Sequence, residues 1–312
     1  AVVAHSPRFG GKVKAFDAGK AKAVKGVVDV VAIPGGVAVL ARDTWSAKKG
    51  RDALTVEWDD SAAFKLGSDE ILARYRELAA QPGLVARSQG DATGAFAGAA
   101  KVVSASYDFP YLAHAAMEPM NCVVQRTDDG LEVWNGEQFQ TVDQATLAAM
   151  FGLPPEKVKI NMLYAGGSFG RRANPHADYL VECAEIVSRL AKAGTRDVPV
   201  KLVWTREDDM RGGYYRPAFV HTLKAGLDAN GAIVGWQFWQ RRHPSETDTP
   251  TLNRRGEQAV QREHHEGHQH EHRRHFQQAG QRMRAGWVTA VPTAVISRPK
   301  NAIDNSASAK MS

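Results

Sequence analysis

Apolar and β-branched residues gather in short runs between residues 12 and 58, each ending at a polar or glycine-bearing break. "KVKAF", "VVDVVAI", "GVAVLA" and "LTVEW" read as strands, with "PGG" at 34–36 as a turn. Between the last two runs, "TWSAKKGRDA" (44–53) suits a short helix. The period then changes. In "SDEILARYRELAA" (68–80), Ile71, Leu72, Tyr75 and Leu78 form one stripe, with Asp69 and Glu70 in the first turn and Ser68 placed to cap. Residues 81–100 are Gly/Ala-rich without a firm period and predict a connector between two domains.

"KVVSASYDF" (101–109) predicts the next strand, and "NCVVQRT" and "LEVWN" flank "DDG" (128–130) as a hairpin. "TVDQATLAAMFG" (141–152) reads as a helix with a Thr141–Gln144 capping box. "VKINMLY" is a strand, and residues 175–193 a helix with Asn174 as cap and Pro175 at the first helical position. "VPVKLVW", "AFVHTLKAGLD" and "AIVGWQFWQ" are further strands, the last two joined by "DANG" (228–231). This order of strands and helices predicts an α+β protein rather than a regular βαβ series.

After residue 240 the pattern breaks. The text becomes rich in Arg, His and Gln, with seven of the eleven histidines at 243, 264, 265, 268, 270, 272 and 275. So few apolar residues cannot offset the entropy of ordering, and residues 241–312 are expected to be disordered. Metal capture by adjacent imidazoles and weak electrostatic binding to nucleic acid are functional readings of this tail. A change of reading frame near residue 240 explains the break better, with a natural disordered extension as the alternative. Charge follows the same division: 28 Lys/Arg against 27 Asp/Glu before residue 241, and 12 against 7 after it. The overall +6 therefore says little about the body and does not imply a specific nucleic-acid partner. No apolar run reaches the roughly 18–20 residues of a membrane span. No basic-then-apolar leader is read at the start. Cys122 and Cys183 form no disulfide, zinc or iron–sulfur motif and read as small buried residues.

The segment with most chemistry is "AGGSFGRRANPHADYLVECAEI" (165–186). A strand ends at glycines and a helix begins soon after. Gly166, Gly167 and Gly170 let backbone N–H groups approach a bound group, and such a turn is a natural anion site. Arg171 and Arg172 add donors suited to phosphate or carboxylate. The alternative is a tight strand-to-helix connection with two solvated arginines.

Three further segments surround this turn in order: "YLAHAAMEPMNCVV" (111–124), "WNGEQFQTVDQATLAAMFGLPPEKVKI" (134–160) and "VWTREDDMRGGYYRP" (203–217). Together they resemble the molybdopterin-binding large subunit of the molybdenum hydroxylases, in particular the isoquinoline 1-oxidoreductase β-subunit type. The resemblance covers about residues 8–240. It implies an incomplete α/β hammerhead domain at 1–90, the first part of a molybdopterin-binding domain at 101–240, and the tail from 241 to 312. It implies a molybdopterin cofactor in its cytosine dinucleotide form, with no protein ligand to the metal. Gly166, Gly167, Phe169, Gly170 and Arg171 would line the cofactor, with Phe169 walling the substrate channel. Gln138, 31 positions before Phe169, matches the family's glutamine on the oxo or substrate side. Glu118, with Pro119 in the segment opened by His114, is implied to be mostly architectural, a buried carboxylate held by backbone donors, with catalysis as the lesser alternative. Arg206 is either a residue that fixes the cofactor domain or a surface ion pair. His176 and His221 read as structural.

The implied reaction inserts water-derived oxygen into a C–H bond of an aldehyde or N-heteroaromatic compound. Electrons would pass to [2Fe–2S] clusters on a separate small subunit, since this chain has no cluster motif. The compartment stays open between cytoplasm and periplasm. Two departures stand out. Ala173 occupies the position where the xanthine-oxidising branch carries a carboxylate, which argues against purines. The Gly-x-Gly-Glu stretch holding the family's general base is absent, so no catalytic base is assigned and this chain alone is expected to be inactive. A non-catalytic fragment with a basic tail is the competing reading.

Overall fold

The structure, a computed structural model, describes residues 1–81, 87–195, 198–212, 214–242 and 294–297. The chain opens with β1 (Val2–His5), β2 (Lys12–Asp17), α1 (Gly19–Lys22), β3 (Val27–Ile33), β4 (Gly36–Ala41), α2 (Thr44–Asp52) and β5 (Thr55–Asp59). Then come α3 (Ser68–Ala79), β6 (Arg87–Gln89), α4 (Ala92–Ala97) and β7 (Lys101–Phe109). They are followed by β8 (Asn121–Arg126), β9 (Leu131–Gly136), α5 (Gln140–Phe151), β10 (Val158–Leu163) and α6 (Asp178–Lys192). Last are β11 (Val200–Val203), α7 (Arg206–Arg211), β12 (Phe219–Leu227), β13 (Ile233–Arg242) and β14 (Ala294–Ser297). This is the mixed α+β content that the pattern predicts.

Two compact units emerge, and they interleave along the chain. Among the described residues, the first takes those within 1–65 and 112–216. Its four-stranded sheet has the order β10–β9–β8–β11, with β10 parallel to β9 and the other pairs antiparallel. A three-stranded sheet, β1–β4–β3, adds Val3, Ile33 and Ala38 to the same core as Leu131, Val133, Leu180 and Trp204. Tyr179, Leu180, Cys183, Ala184 and Ile186 of α6 are all buried in that core, and Cys122 joins them. The compact units interleave because one core is shared by residues far apart in sequence.

The second unit holds the sheet β6–β14–β13–β12–β7 with α3 and α4. Its packed centre is small: Tyr75, Ala218 and Val220, with Ile71, Leu72 and Tyr111 against them. Residues 81–100 are not a plain connector. They contain β6 and α4, where Asp91 caps by accepting from Gly94 N–H at 2.9 Å. Phe96 of α4 lies so close over β12 that a Cβ at Gly226 would come within 3.1 Å of its ring. Of the 241–312 tail the structure describes two strand segments: β13 runs to Arg242, and β14 pairs with it antiparallel from Ala294 to Ser297. The short run "AVIS" is apolar and β-branched enough to pair. The histidines from 243 to 275 lie outside the described residues.

Three helix starts differ from the pattern reading. The cap of α3 is Gly67, whose N–H donates to Glu70 Oε2 at 2.7 Å, so Ser68 is the first helical residue. In α5 the cap is Phe139, and Gln144 donates to the Val158 carbonyl at 2.9 Å instead of closing a box with Thr141. Before α6, Asn174 Oδ1 accepts from the N–H groups of His176 and Asp178, both at 3.2 Å. The helix itself waits until Asp178 because Ala177 adopts φ 49°, in the left-handed region. No helix among the described residues is long and apolar enough to cross a membrane.

Candidate functional site

The parallel pairing of β9 and β10 sets Gly136 opposite Leu163, so both strands leave the sheet at the same end. One runs into the 137–139 turn and α5; the other runs into the 165–177 loop and α6. Carboxyl ends of parallel strands, followed by helix starts, are where open sheets gather ligands. Here that end collects Gln138, Gly166, Gly167, Phe169 and Gly170, the residues singled out in the sequence.

The loop is built on close backbone contact. Gly166 N–H donates to the Glu118 carboxylate, and Glu118 N–H returns a bond to Gly166 O at 3.1 Å. A Cβ at Gly166 would stand 2.6 Å from Glu118 Cβ, which only glycine avoids. Gly167 and Gly170 take φ of 102° and 99°, and Phe169 between them is driven to 54° with its ring exposed. Strain of this kind persists where surrounding contacts impose it, and it clusters at functional loops. Ser168 Oγ ties the loop to the other strand end by donating to Gln138 Oε1 at 2.5 Å, and it accepts from Arg172 N–H at 3.2 Å. Among the described residues, the N–H groups of Gly167, Ser168, Phe169 and Gly170 have no internal acceptor. Successive backbone N–H groups without internal acceptors are the kind of donor row that can receive anionic or oxo groups.

The two arginines turn inward rather than toward a ligand. Arg171 is buried, forms a bidentate pair with Asp178 at 3.1 and 2.6 Å, and stacks on Trp204 and Tyr214. Burial disfavours its charge, but the Asp178 carboxylate outweighs that and holds the guanidinium's pKa above its ordinary value. The guanidinium expected to line a cofactor is thus committed to Asp178, and the Arg171 N–H is taken by Ser168 O at 3.0 Å. Arg172, also buried, donates to Gly167 O at 3.2 Å and Gly136 O at 3.4 Å and lies 3.5 Å from Glu118. It braces both strand ends from beneath, and neither arginine is solvated as the simpler reading supposed.

Glu118 is architectural, though less buried than expected: its side chain is 36% exposed. Asn121, donating at 2.7 Å, and the Gly166 N–H hold its carboxyl below the usual range. Arg206 reaches the carbonyls of Ala116 and Met117 at 2.5 and 2.8 Å as well as Asp209 at 3.0 Å, so it clamps the 112–120 segment. His176 hydrogen-bonds Tyr214, whereas His221 sits among Phe109, Phe219 and Phe238 with Nε2 buried and unbonded. Burial lowers the His221 pKa, which suits a neutral ring. Sequence reasoning gave no role to Ser168, nor to Glu137 and Asp143 behind the same turn. Ser168 stood inside the quoted motif, but nothing in its spacing showed that it reaches Gln138.

Comparison with known proteins places this geometry. Residues 78–242 match the molybdopterin cofactor-binding domain. The chain is 32% identical over 237 residues to the isoquinoline 1-oxidoreductase β subunit of Brevundimonas diminuta, covering 73% of this chain and 29% of that protein. It is 31% identical over 240 residues to a membrane-bound aldehyde dehydrogenase of Gluconacetobacter polyoxogenes, named for pyrroloquinoline quinone, covering 74% and 30%. The chain thus spans under a third of the length of these curated relatives. Quinoline 2-oxidoreductase from Pseudomonas putida 86 shares the fold, with a TM-score of 0.55 and 19% identity over 77% of this chain and 35% of that one. With the family's domain matched over more than half its length and the strand-end loop in place, the chain belongs to the molybdopterin cofactor-binding family of the molybdenum hydroxylases.

Proposed function

We propose that residues 166–170 with Gln138 form one wall of a molybdopterin seat in a large subunit that hydroxylates an aldehyde or N-heteroaromatic substrate. The observation that carries this is the row of four N–H groups at 167–170 that, among the described residues, have no internal acceptor, on the loop that Ser168 ties to Gln138. The donor set fits the group: backbone N–H groups at 167–170 without internal acceptors suit oxo and phosphate oxygens, and the amide of Gln138 is already oriented by Ser168. When bound, the cofactor supplies the redox chemistry, and the protein supplies position and electrostatics. Within that division Phe169 offers an apolar ring to substrate, and Glu118 with Arg172 keeps the loop's backbone fixed. The same row would suit a quinone's carbonyl oxygens, as in the relative named for that cofactor. The match to the molybdopterin domain favours the pterin.

Several finer readings rest on this one. The pterin is the cytosine dinucleotide form, electrons leave to a separate [2Fe–2S] subunit, and residues 1–90 correspond to most of an α/β hammerhead. The 312-residue chain alone does not turn over substrate. Glu118, the carboxylate nearest the loop, is held ionised by its donors and tied to Gly166, which makes it a poor general base, a function worth about 10²–10⁴-fold. The test is molybdenum by elemental mass spectrometry and pterin by fluorescence on the purified chain, with Gln138→Ala and Ser168→Ala beside it. Retained pterin that falls in both variants supports the seat. Retention unchanged in both would remove it. Pterin with no dye-linked aldehyde oxidation supports the inactive chain, whereas turnover would mean that Glu118 is the base.

A further inference from the structure

Behind the Gln138 turn lies a pair of carboxyl groups that form no ion pair among the described residues. Asp143, in the first turn of α5, is 1% exposed, and neither of its oxygens has a hydrogen-bond donor. Its neighbour is Glu137, whose Oε1 accepts from the N–H groups of Gln138 and Phe139 at 3.2 and 3.4 Å. The other oxygen of Glu137 is buried and has no donor either. The charged and titratable groups around them have other partners. On α6, Asp178 is taken by Arg171, and the Tyr179 hydroxyl accepts from Asn135 at 2.9 Å. In the loop, Arg172 donates to Gly167 O and Gly136 O and lies 3.5 Å from Glu118, and its Nη2 has no hydrogen-bond acceptor among the described residues.

Two ionised carboxylates facing one another are disfavoured here, since each would present only acceptors to the other and neither has an ion pair among the described residues to offset the burial of Asp143. One proton removes the conflict by turning one acceptor into a donor. We propose that Glu137 and Asp143 hold a single proton between them, and that this shared proton fixes the turn presenting Gln138 to Ser168. The direction of Asp143's acidity agrees: burial first, then the hydrogen bond and charge of Glu137, push its pKa up to about 9. Glu137 is the link to the site. Its Oε1 holds the backbone of 138 and 139, so anything that drives Glu137 away from Asp143 frees the residue that meets the loop. The two groups are positioning residues, and their functional weight rests on the reading of Gln138 given above.

The test uses the full chain. Infrared difference spectra should show a buried protonated carboxyl stretch at pH 7 that shifts in deuterium oxide and is lost as pH rises past about 9. Asp143→Asn should abolish that band, and Glu137→Gln should shift or abolish it. Amide exchange at 138–140, corrected for the intrinsic rate, should lose protection with rising pH in the wild type but not in Asp143→Asn. Absence of the band in the wild type at pH 7 overturns the proposal, and so does a band unchanged in both variants. If Asp143→Asn does not fold, the wild-type titration and Glu137→Gln still decide. Failure of the cofactor reading is a separate result, because the band requires no pterin.

Discussion

The sheet β10–β9–β8–β11 and the sheet β6–β14–β13–β12–β7 draw on similar runs of Val, Leu and aromatic residues, yet they bury them very differently. Along β8 and β9, every second side chain disappears into a core shared with α6, which takes in Trp204 and the buried Arg171 pair. Along β7, Val102, Val103, Tyr107 and Phe109 all stay exposed, and the ion pair of Arg76 with Asp108 stands in solvent. The same residue types therefore carry different energetic weight. In the first sheet they support a polar loop that needs a rigid base, and in the second they leave an open face.

The largest break in this comparison should come from Trp204→Ala. It empties a fully buried site, removes the indole bond to Glu182 at 2.7 Å and unstacks Arg171. A loss of about 3–5 kcal/mol is expected by urea unfolding. Tyr107→Ala in the open sheet should cost under about 1 kcal/mol. Next is Arg171→Met, which strands the Asp178 carboxylate. The expected loss is about 3 kcal/mol, at the low end of the range for broken buried pairs because Asn174 still donates to it at 2.8 Å. Arg171→Met with Asp178→Leu should recover part of that loss. A cost for Arg171→Met no larger than that for Arg76→Ala would erase the contrast between the two regions.

A third, smaller effect is a pH slope. The folded acidity of Asp143 is raised to about 9, so between roughly pH 4 and 9 the folded state holds a proton that the unfolded chain has released. The stability Asp143 contributes is full below pH 4 and falls as pH rises through that window. Asp143→Asn should flatten the slope and gain on the order of 2 kcal/mol at pH 8, shrinking toward pH 4. Asp208 acts oppositely. Burial opposes its ionisation, but the hydrogen bond and charge of His5, with Arg51 at 2.8 Å, hold its acidity below the ordinary range. Its contribution is therefore present above about pH 4 and is lost on acidification below that. Asp208→Asn should be destabilising at neutral pH and nearly silent in strong acid. The smallest effect is that of Arg76→Ala, within about 1 kcal/mol of zero in the same urea titration, since both partners are solvated.

The chain's periodicity was enough to locate most of its elements. β-branched runs have few alternatives to strands, and the stripe of α3 and the long apolar alternation of α6 have few alternatives to helices. The motif "AGGSFGRR" announced a tight strand-to-helix loop because glycine spacing limits what the backbone can do there, and its reading as a cofactor loop came from the resemblance of the segments around it. Sequence could not say which way a side chain turns. Arg171 and Arg172 look like surface donors in one dimension, and only Asp178, Trp204 and the carbonyls of Gly136 and Gly167 draw them inside. Asp143 reads as an ordinary first-turn acid, and its near-total burial opposite Glu137 comes from the packing around the 137–139 turn. The interleaving of the two units is likewise tertiary. Local pattern sets the form of each strand, but pairing across more than 100 residues, as between β7 and β12, is decided by which apolar faces find each other when the chain collapses.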